Sequence, residues 1–337
     1  MNLLQLSLAT TSTNAEIPVQ VSKVTVREGK RVFISATITD ASHTCNMNFW
    51  SDSGAFAQLE LNPNGGFFFM SGVFSNDPQY GLGCNSPILR TMTPQEKDVF
   101  IAGDAELLAF RDAEWQEILD TVTHDVVVEP IRTVLLALLT APQIQLLFRR
   151  ASAAVKNHHA RRGGLTSHTL SMLRCGKALA PVYTDICPSL LYAGIITHDI
   201  GKIGENDTGE GFAAIPSVPG ELLGHIAYGT LLVQTYWRRC GTESPELFKG
   251  KDFLLNHWLH LILSHHGTKE FGSPVTPRSP EAFLLHHIDT MDAHMEMIRA
   301  TYSTVTPNQH GLVDAPYPLK TSLAIPVSRL LKNETSE

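Results

Sequence analysis

Cysteine is scarce and scattered: Cys45, Cys84, Cys175, Cys187 and Cys240 are the only five in 337 residues, and no C-x-x-C pair occurs. An odd, widely spaced set excludes a disulfide framework and a thiolate zinc knuckle, and it fits reduced, buried thiols in a cytoplasmic protein. Long apolar runs are missing too. Stretches such as Val134–Leu139 fall far short of the roughly 20 residues that span a bilayer, and the N-terminus lacks the positive start of a signal peptide. Neither a membrane segment nor secretion is expected. Nor is there a basic excess: 26 Lys and Arg face 33 Asp and Glu, a net charge of −7. The imbalance is local, with ten acids and three bases between 94 and 148, followed by Arg149, Arg150, Lys156, Arg161 and Arg162 with no acid among them. That basic patch suits an anionic substrate whatever the overall charge.

What is present is a change of pattern along the chain. Residues 16–92 have β character. Val32, Ile34, Ala36 and Ile38 alternate with Ser35, Thr37 and Thr39 after a turn at Glu28-Gly29-Lys30, the period of a half-buried strand. Further strands are expected at Val19–Val26, Asn46–Trp50, Ala55–Leu61 and Phe67–Phe74. About five short strands in this length fit a small β-barrel, an OB-fold or an SH3-like barrel. Phe33, Phe49, Trp50, Phe67 and Phe69 are candidates for base stacking there, although alternation sends about half of them into the core.

Helical signals take over at Thr93-Pro94, where Thr93 and Glu96 have capping-box spacing. Helices are expected over roughly 94–120 and 128–155, then at about 165–180, 187–199, 222–240, 251–265 and 280–301. The fold class is therefore α+β and multidomain. The expected divisions are a barrel over 1–93, an acidic helical connector over 94–150, an all-α domain over 151–305, and an irregular tail over 306–337.

Histidine is the informative residue, because twelve of fifteen lie between His158 and His294. His168, the pair His198-Asp199, His225, the pair His265-His266 and Asp289 each fall in or at the end of an expected helix, so they can converge on one bundle interior. Adjacent helical side chains point about 100° apart, which suits an aspartate bridging two sites rather than His198 and Asp199 sharing one symmetrically. Imidazoles and carboxylates without thiolates favour Mn, Fe, Co, Ni or Zn over Ca, and two such ions about 3.5–4 Å apart form a hydrolytic centre for phosphoesters. His257, His260, His286, His287 and His294 fit a helical face packed beside such a site.

The order His…His-Asp…His…His-His…Asp resembles the HD-domain phosphohydrolases. The strings HHARRGGLTSHTL at 158–170, HDIGK at 198–202, LLGHI at 222–226 and LSHHGTKEFGSPVTPRSPEA at 263–282 resemble one branch, the YhaM-type 3′-to-5′ exoribonucleases. That resemblance implies an N-terminal OB-fold ahead of an all-α HD-domain helical bundle. It implies one divalent transition metal on His168, His198, Asp199 and Asp289, and a second on His225, His265 and His266 with Asp199 bridging. Manganese comes first, with cobalt, iron, nickel or zinc as alternatives. Lys202 matches the lysine that faces the substrate phosphate, and a cation there would stabilise charge on a phosphoryl oxygen; the alternative is a solvated helix end.

Two departures stand out: Ser167 replaces an acid before the first ligand, and Arg161-Arg162 replace a less charged pair. The arginines would add phosphate contacts. His158 and His159 either meet a phosphate or cap a helix. Glu270, Phe271, Gly272, Ser273 and Pro274 would shape a loop over the site, with Phe271 either tucked into the core or stacking on a base. The expected activity is metal-dependent removal of nucleotides from single-stranded RNA or DNA, RNA preferred, by a cytoplasmic enzyme with no membrane partner, for which a homo-oligomer is one option. A relaxase-like DNA-processing protein, a nucleotide or cyclic-dinucleotide phosphohydrolase and a non-catalytic binding module are the alternatives.

Overall fold

The structure is a computed structural model and describes residues 1–77, 81–103, 105–153, 162–207, 211, 215–304, 307–308, 310–314, 319 and 321–327. By compactness the chain falls into two units, residues 1–101 with 294–337 and residues 102–293.

Five antiparallel strands build the first unit: β1 (Thr13–Arg27), β2 (Phe33–Thr39), β3 (Thr44–Trp50), β4 (Gly66–Asp77) and β5 (Gly81–Thr91), in the order β3-β2-β1-β4-β5. Period two sends Ile17, Val19 and Val21 of β1, Ile34, Ala36 and Ile38 of β2, Met47 and Phe49 of β3, and Phe68 and Met70 of β4 into one core. Helix α1 (Leu3–Ser7) adds Leu3 and Leu6 to it, and α2 (Gly54–Glu60) adds Ala55 and Leu59.

A five-stranded sheet with a helix between β3 and β4 has the make-up of a partly open OB-fold barrel. Among the described residues no ladder joins β3 to β5, so the sheet is barrel-like and not closed. On β5, Pro87 has no N–H to donate, and Ser86 sits at φ 51°, which interrupts the donor row that closure would need.

Two details correct the sequence expectation. Ala55–Leu61 does not form a strand; α2 takes its place, because Ser53 caps the Phe56 N–H and Ala55 and Leu59 lie one helical turn apart. β5 went unexpected because Gly81, Gly83, Asn85 and Pro87 hide its alternation. After the strands comes α3 (Pro94–Ala102), and Thr93 and Glu96 form the expected capping box, with reciprocal bonds of 3.3 and 2.9 Å. In the expected irregular tail, Leu312–Asp314 pairs with Ser322–Ala324 as a short ladder.

The second unit is helical: α4 (Ala105–His124), α5 (Glu129–Leu139), α6 (Pro142–Arg150), α7 (Gly164–Leu179), α8 (Pro188–Thr197), α9 (Lys202–Glu205), α10 (Val218–Glu243), α11 (Pro245–Phe248), α12 (Asp252–Ser264) and α13 (Pro280–Thr304). The two long helices expected between 94 and 155 are each split in two. Trp115, Val134, Leu135 and Phe148 of α4–α6 share one core with Leu165, Leu191, Trp258 and Leu285. Every residue of α8 from Ser189 to Thr197 is buried, which makes it the central helix of the bundle. No single described helix is long and apolar enough to cross a membrane, and the five cysteines form no disulfide.

Candidate metal centre

The buried helix α8 delivers His198 and Asp199 at its C-terminal end. The Trp258 indole donates to the Thr197 hydroxyl at 2.8 Å, and that hydroxyl donates to the Ala193 carbonyl at 2.6 Å, fixing the last turn. Gly201 then permits the closest approach in the site: a Cβ there would lie 1.8 Å from the His225 carbonyl oxygen. The glycine in the HDIGK string therefore lets α10 pack directly against the turn that carries Asp199. Gly267 plays a comparable part after the histidine pair. Its φ is +81°, and a Cβ would meet the His286 ring at 2.3 Å.

Each imidazole of the cluster has its Nδ1 engaged away from the centre. His198 Nδ1 meets the Ile195 carbonyl at 2.8 Å, His265 Nδ1 the Ile262 carbonyl at 2.7 Å and His266 Nδ1 the Phe271 carbonyl at 2.8 Å. His168 Nδ1 lies 2.7 Å from Asp292 Oδ2, and His225 Nδ1 lies 3.0 Å from Glu205 Oε1. A carbonyl or carboxylate at Nδ1 requires the proton there, so Nε2 keeps the lone pair a metal needs.

The Nε2 atoms and carboxylates meet in two groups. His168, His198 and Asp199 offer atoms within 4.8 Å of one another, and so do His225, His265 and His266. In the first group His168 Nε2 is 3.3 Å from both His198 Nε2 and Asp289 Oδ1. Asp199 divides its oxygens between the groups: Oδ2 lies 3.4 Å from His198 Nε2, while Oδ1 lies 3.4 Å from His225 Nε2 and 3.6 Å from His265 Nε2. Asp199 Oδ1, His225 Nε2 and His265 Nε2 are buried and have no hydrogen-bond partner. Leaving such atoms unsatisfied costs about 1–3 kcal/mol each. Three acceptors converging without a donor fit a divalent cation, and the described donor set of nitrogen and oxygen fits a transition metal.

The electrostatics agree. Burial, then the neighbouring His198 and His266, hold His265 neutral well below the usual histidine range. Burial likewise lowers His266. For Asp199 burial opposes ionisation, but Lys202 and His198 outweigh it and hold the carboxyl well below its ordinary range. Asp289 is lowered in the same way, with His168 countering burial. Burial also works against a charge on His168, yet bonds with Asp289 and Asp292 raise it to about 9; a bound cation would take the place of that second proton. Neutral His265 and His266 beside ionised Asp199 and Asp289 are in the states that metal binding requires.

Lys202 is not a solvated helix end. Its side chain is 12% exposed, and Nζ stands 2.6 Å from Asp199 Oδ2 and donates to the Ala153 carbonyl. Other expectations fare differently. Arg162 is buried and donates to the Gly211 carbonyl at 3.1 Å, with burial lowering its pKa to about 10. Ser273 is buried, and its hydroxyl donates to the Leu263 carbonyl. Each side chain thus has a bonding role within the fold. Arg149 of the basic patch is paired with Asp112. Phe271, by contrast, is 70% exposed. His158, His159, Arg161 and Lys156 lie outside the described residues.

Sequence reasoning missed three supporting carboxylates. Asp292 holds His168 and lies three residues after Asp289, on the same helical face, a spacing that could have revealed it. Glu205, which holds His225, stands three residues after Lys202. Glu114 accepts from the Ser167 hydroxyl at 3.0 Å, so α4 supplies a carboxylate beside the position where the resembling family carries an acid. No local signal marks Glu114.

In the first unit, Phe49 faces the core, but Phe33 and Trp50 pair on the outer face with ring centroids 5.2 Å apart. Phe67 and Phe69 also face outward, with Arg90 4.4 Å over Phe69 and Lys97 5.3 Å over Phe67. Half-exposed aromatic rings with cations beside them can stack on bases.

Comparison with known proteins bears on the helical unit. Residues 165–294 match the HD domain family, so the helical region contains an HD domain. The chain is 40% identical over 166 residues to a protein of Shouchella clausii named 3′-5′ exoribonuclease YhaM, covering 49% of each. A protein of the same name from Bacillus subtilis is 39% identical over 158 residues, 47% of each chain. One from Oceanobacillus iheyensis is 42% identical over 158 residues, 47% of this chain and 46% of that one. The chain thus matches these relatives over about half their length. No solved structure matches it.

Proposed function

We propose that this chain is a metal-dependent phosphodiesterase that removes nucleotides from the 3′ end of single-stranded nucleic acid, RNA in preference to DNA. One observation carries the reading: Asp199 splits its two oxygens between two imidazole groups, and Oδ1 is left buried and unsatisfied along with His225 Nε2 and His265 Nε2. On this reading His168, His198, Asp199 and Asp289 hold one divalent ion, and His225, His265 and His266 hold a second, bridged by Asp199. Manganese is the first choice of metal. Such ions supply Lewis acidity and a hydroxide nucleophile at neutral pH.

The chain's own groups do the rest. Asp292 and Glu205 fix the tautomers of His168 and His225, and burial keeps His265 and His266 neutral. Lys202 holds Asp199 in place and offers a cation to the charge that develops on the phosphoryl oxygens. Phe271 stands exposed beside His266, where it can stack on a base of the strand being cut, and the outward Phe33, Trp50, Phe67 and Phe69 of the sheet supply further stacking surface. Strand polarity and the preference for RNA rest on the similarity to the named exoribonucleases. A cytoplasmic place agrees with the unpaired cysteines.

The test is the product ladder from RNA and DNA labelled at the 5′ end, with manganese added. Stepwise shortening of the labelled strand, faster on RNA, is the expected result. A single internal cut, or label released at once as a mononucleotide, would overturn the reading.

A further inference from the structure

His257 and His260 stayed outside the metal cluster, and the structure shows where they go. With Asn256 they lie on one face of α12, and together with Arg278 and Ser279 they line a cleft of about 280 Å³. The backbone N–H of Arg278 donates to His260 Nε2 at 2.9 Å, so His260 carries its own proton on Nδ1 and is a donor there. Among the described residues no carboxylate pairs with the Arg278 side chain, and none lines the cleft. Burial first, and then the nearby His257 and Arg278, lower the pKa of His260, which keeps it a neutral donor. The wall of the cleft is mostly apolar, and the polar groups its residues carry are a guanidinium, two imidazoles, a carboxamide and a hydroxyl, with no acid, a set suited to a phosphate group.

Two features tie the cleft to the metal centre. Both are carried by α12: His257 precedes His265 by eight residues, about 12 Å along a helix axis. The segment 268–279 also follows the same helix, from the Phe271 carbonyl on His266 at one end to the Arg278 N–H on His260 at the other. Between them the Ser273 hydroxyl bonds to the Leu263 carbonyl at 3.2 Å. Exposed Phe271 stands at the metal end of this strip and the cationic cleft at the far end.

We propose that the cleft formed by Asn256, His257, His260, Arg278 and Ser279 is a second phosphate subsite, which holds a backbone phosphodiester of the substrate strand upstream of the bond being cut. This rests on the reading of the chain as a phosphodiesterase acting on single strands. The subsite would fix the strand's register relative to the metal centre, and it would favour substrates long enough to reach it.

The test uses the full chain with manganese and RNA strands of roughly ten nucleotides, each carrying one uncharged methylphosphonate at a different linkage counted from the 3′ end. The parent protein should show KM raised about tenfold at one linkage upstream of the cut, the scale of one charge-assisted contact. Arg278→Gln should raise KM about tenfold on the unmodified strand and lose its sensitivity at that same linkage. Its dependence on salt should fall by about one phosphate contact. Arg278 is exposed, and metal content equal to the parent's checks that the variant is folded. Equal sensitivity of parent and variant at every linkage overturns the subsite alone. A parent that neither binds nor cuts the unmodified strand overturns the proposed function, and the subsite with it.

Discussion

The metal centre and the outer face of the sheet put their functional groups in opposite environments. In the helical unit, His168, His198, Asp199 and His265 are at most 3% exposed, and each side chain is held by a named neighbour. On the sheet, Phe33, Trp50, Phe67 and Phe69 stand in half-exposed positions where rings and cations cover one another. Burying ionisable groups is tolerated only where partners or a cation compensate. An exposed aromatic ring has no such requirement. A buried polar cluster therefore declares its chemistry, while an exposed aromatic face becomes informative only once the fold shows which rings share it.

The comparison breaks most sharply at Asp199. If its two oxygens serve two ions, Asp199→Ala should lose most of both, measured by elemental analysis of the purified protein. Turnover should then fall by more than about 1,000-fold, since metal-borne charge stabilisation is worth several kcal/mol. Unchanged metal content would remove the bridging assignment. Lys202→Ala separates charge stabilisation from metal binding: the metals should remain while turnover drops on the order of 100-fold. Parental turnover with metals bound would return Lys202 to a role in holding Asp199 alone.

Asp292→Asn probes the layer behind the ligands. The amide can still accept from His168 Nδ1 but no longer carries charge, and metal affinity should fall roughly 10- to 100-fold, as when comparable supporting groups are altered. Competition with a chelator measures it. Affinity equal to the parent's would show that Asp292 only fills space beside His168.

The sequence was most legible where spacing and chemistry coincide. His198-Asp199 and His265-His266 stood out because HDIGK and the paired histidines set rare residue types together at helix ends, whereas His168, His225 and Asp289 lie inside helices and were picked out by their order along the chain; the structure brings the seven side chains near one another. The capping box at Thr93 was legible for the same reason, since it is a local pattern with a local cause. Ala55–Leu61 was not, because seven residues with apolar side chains at mixed spacing satisfy a strand or a helix, and Ser53 decides the matter. β5 escaped notice because its partner β4 stabilises it rather than its own alternation. Glu114 and Ser167, 53 positions apart, meet only because α4 packs against α7. Arg162 and Ser273 show that a polar residue near a site in sequence can also bond to a backbone carbonyl within the fold, which no local pattern reveals.

The smallest expected effect lies on the sheet, where Trp50→Ala and Phe69→Ala sharpen the contrast with the buried centre. Each removes one stacking surface, worth about 1–3 kcal/mol per base in comparable grooves, so binding of a long single strand should weaken roughly 5- to 150-fold in each variant. The two rings differ in support: Trp50 is paired with Phe33, whereas Phe69 lies under Arg90, which also pairs with Glu96. Removing Phe69 leaves Arg90 with its carboxylate partner and takes away only the ring. Phe69→Ala should therefore weaken strand binding without reducing its dependence on salt, because no cation is lost. Arg90→Gln should reduce that dependence by about one contact if Arg90 also meets the strand. Fluorescence anisotropy with one labelled RNA, titrated at several salt concentrations, reads both quantities. Unaltered binding in Trp50→Ala and Phe69→Ala alike would mean that the outer face of the sheet does not hold the strand, and the burden of substrate affinity would shift to the helical unit.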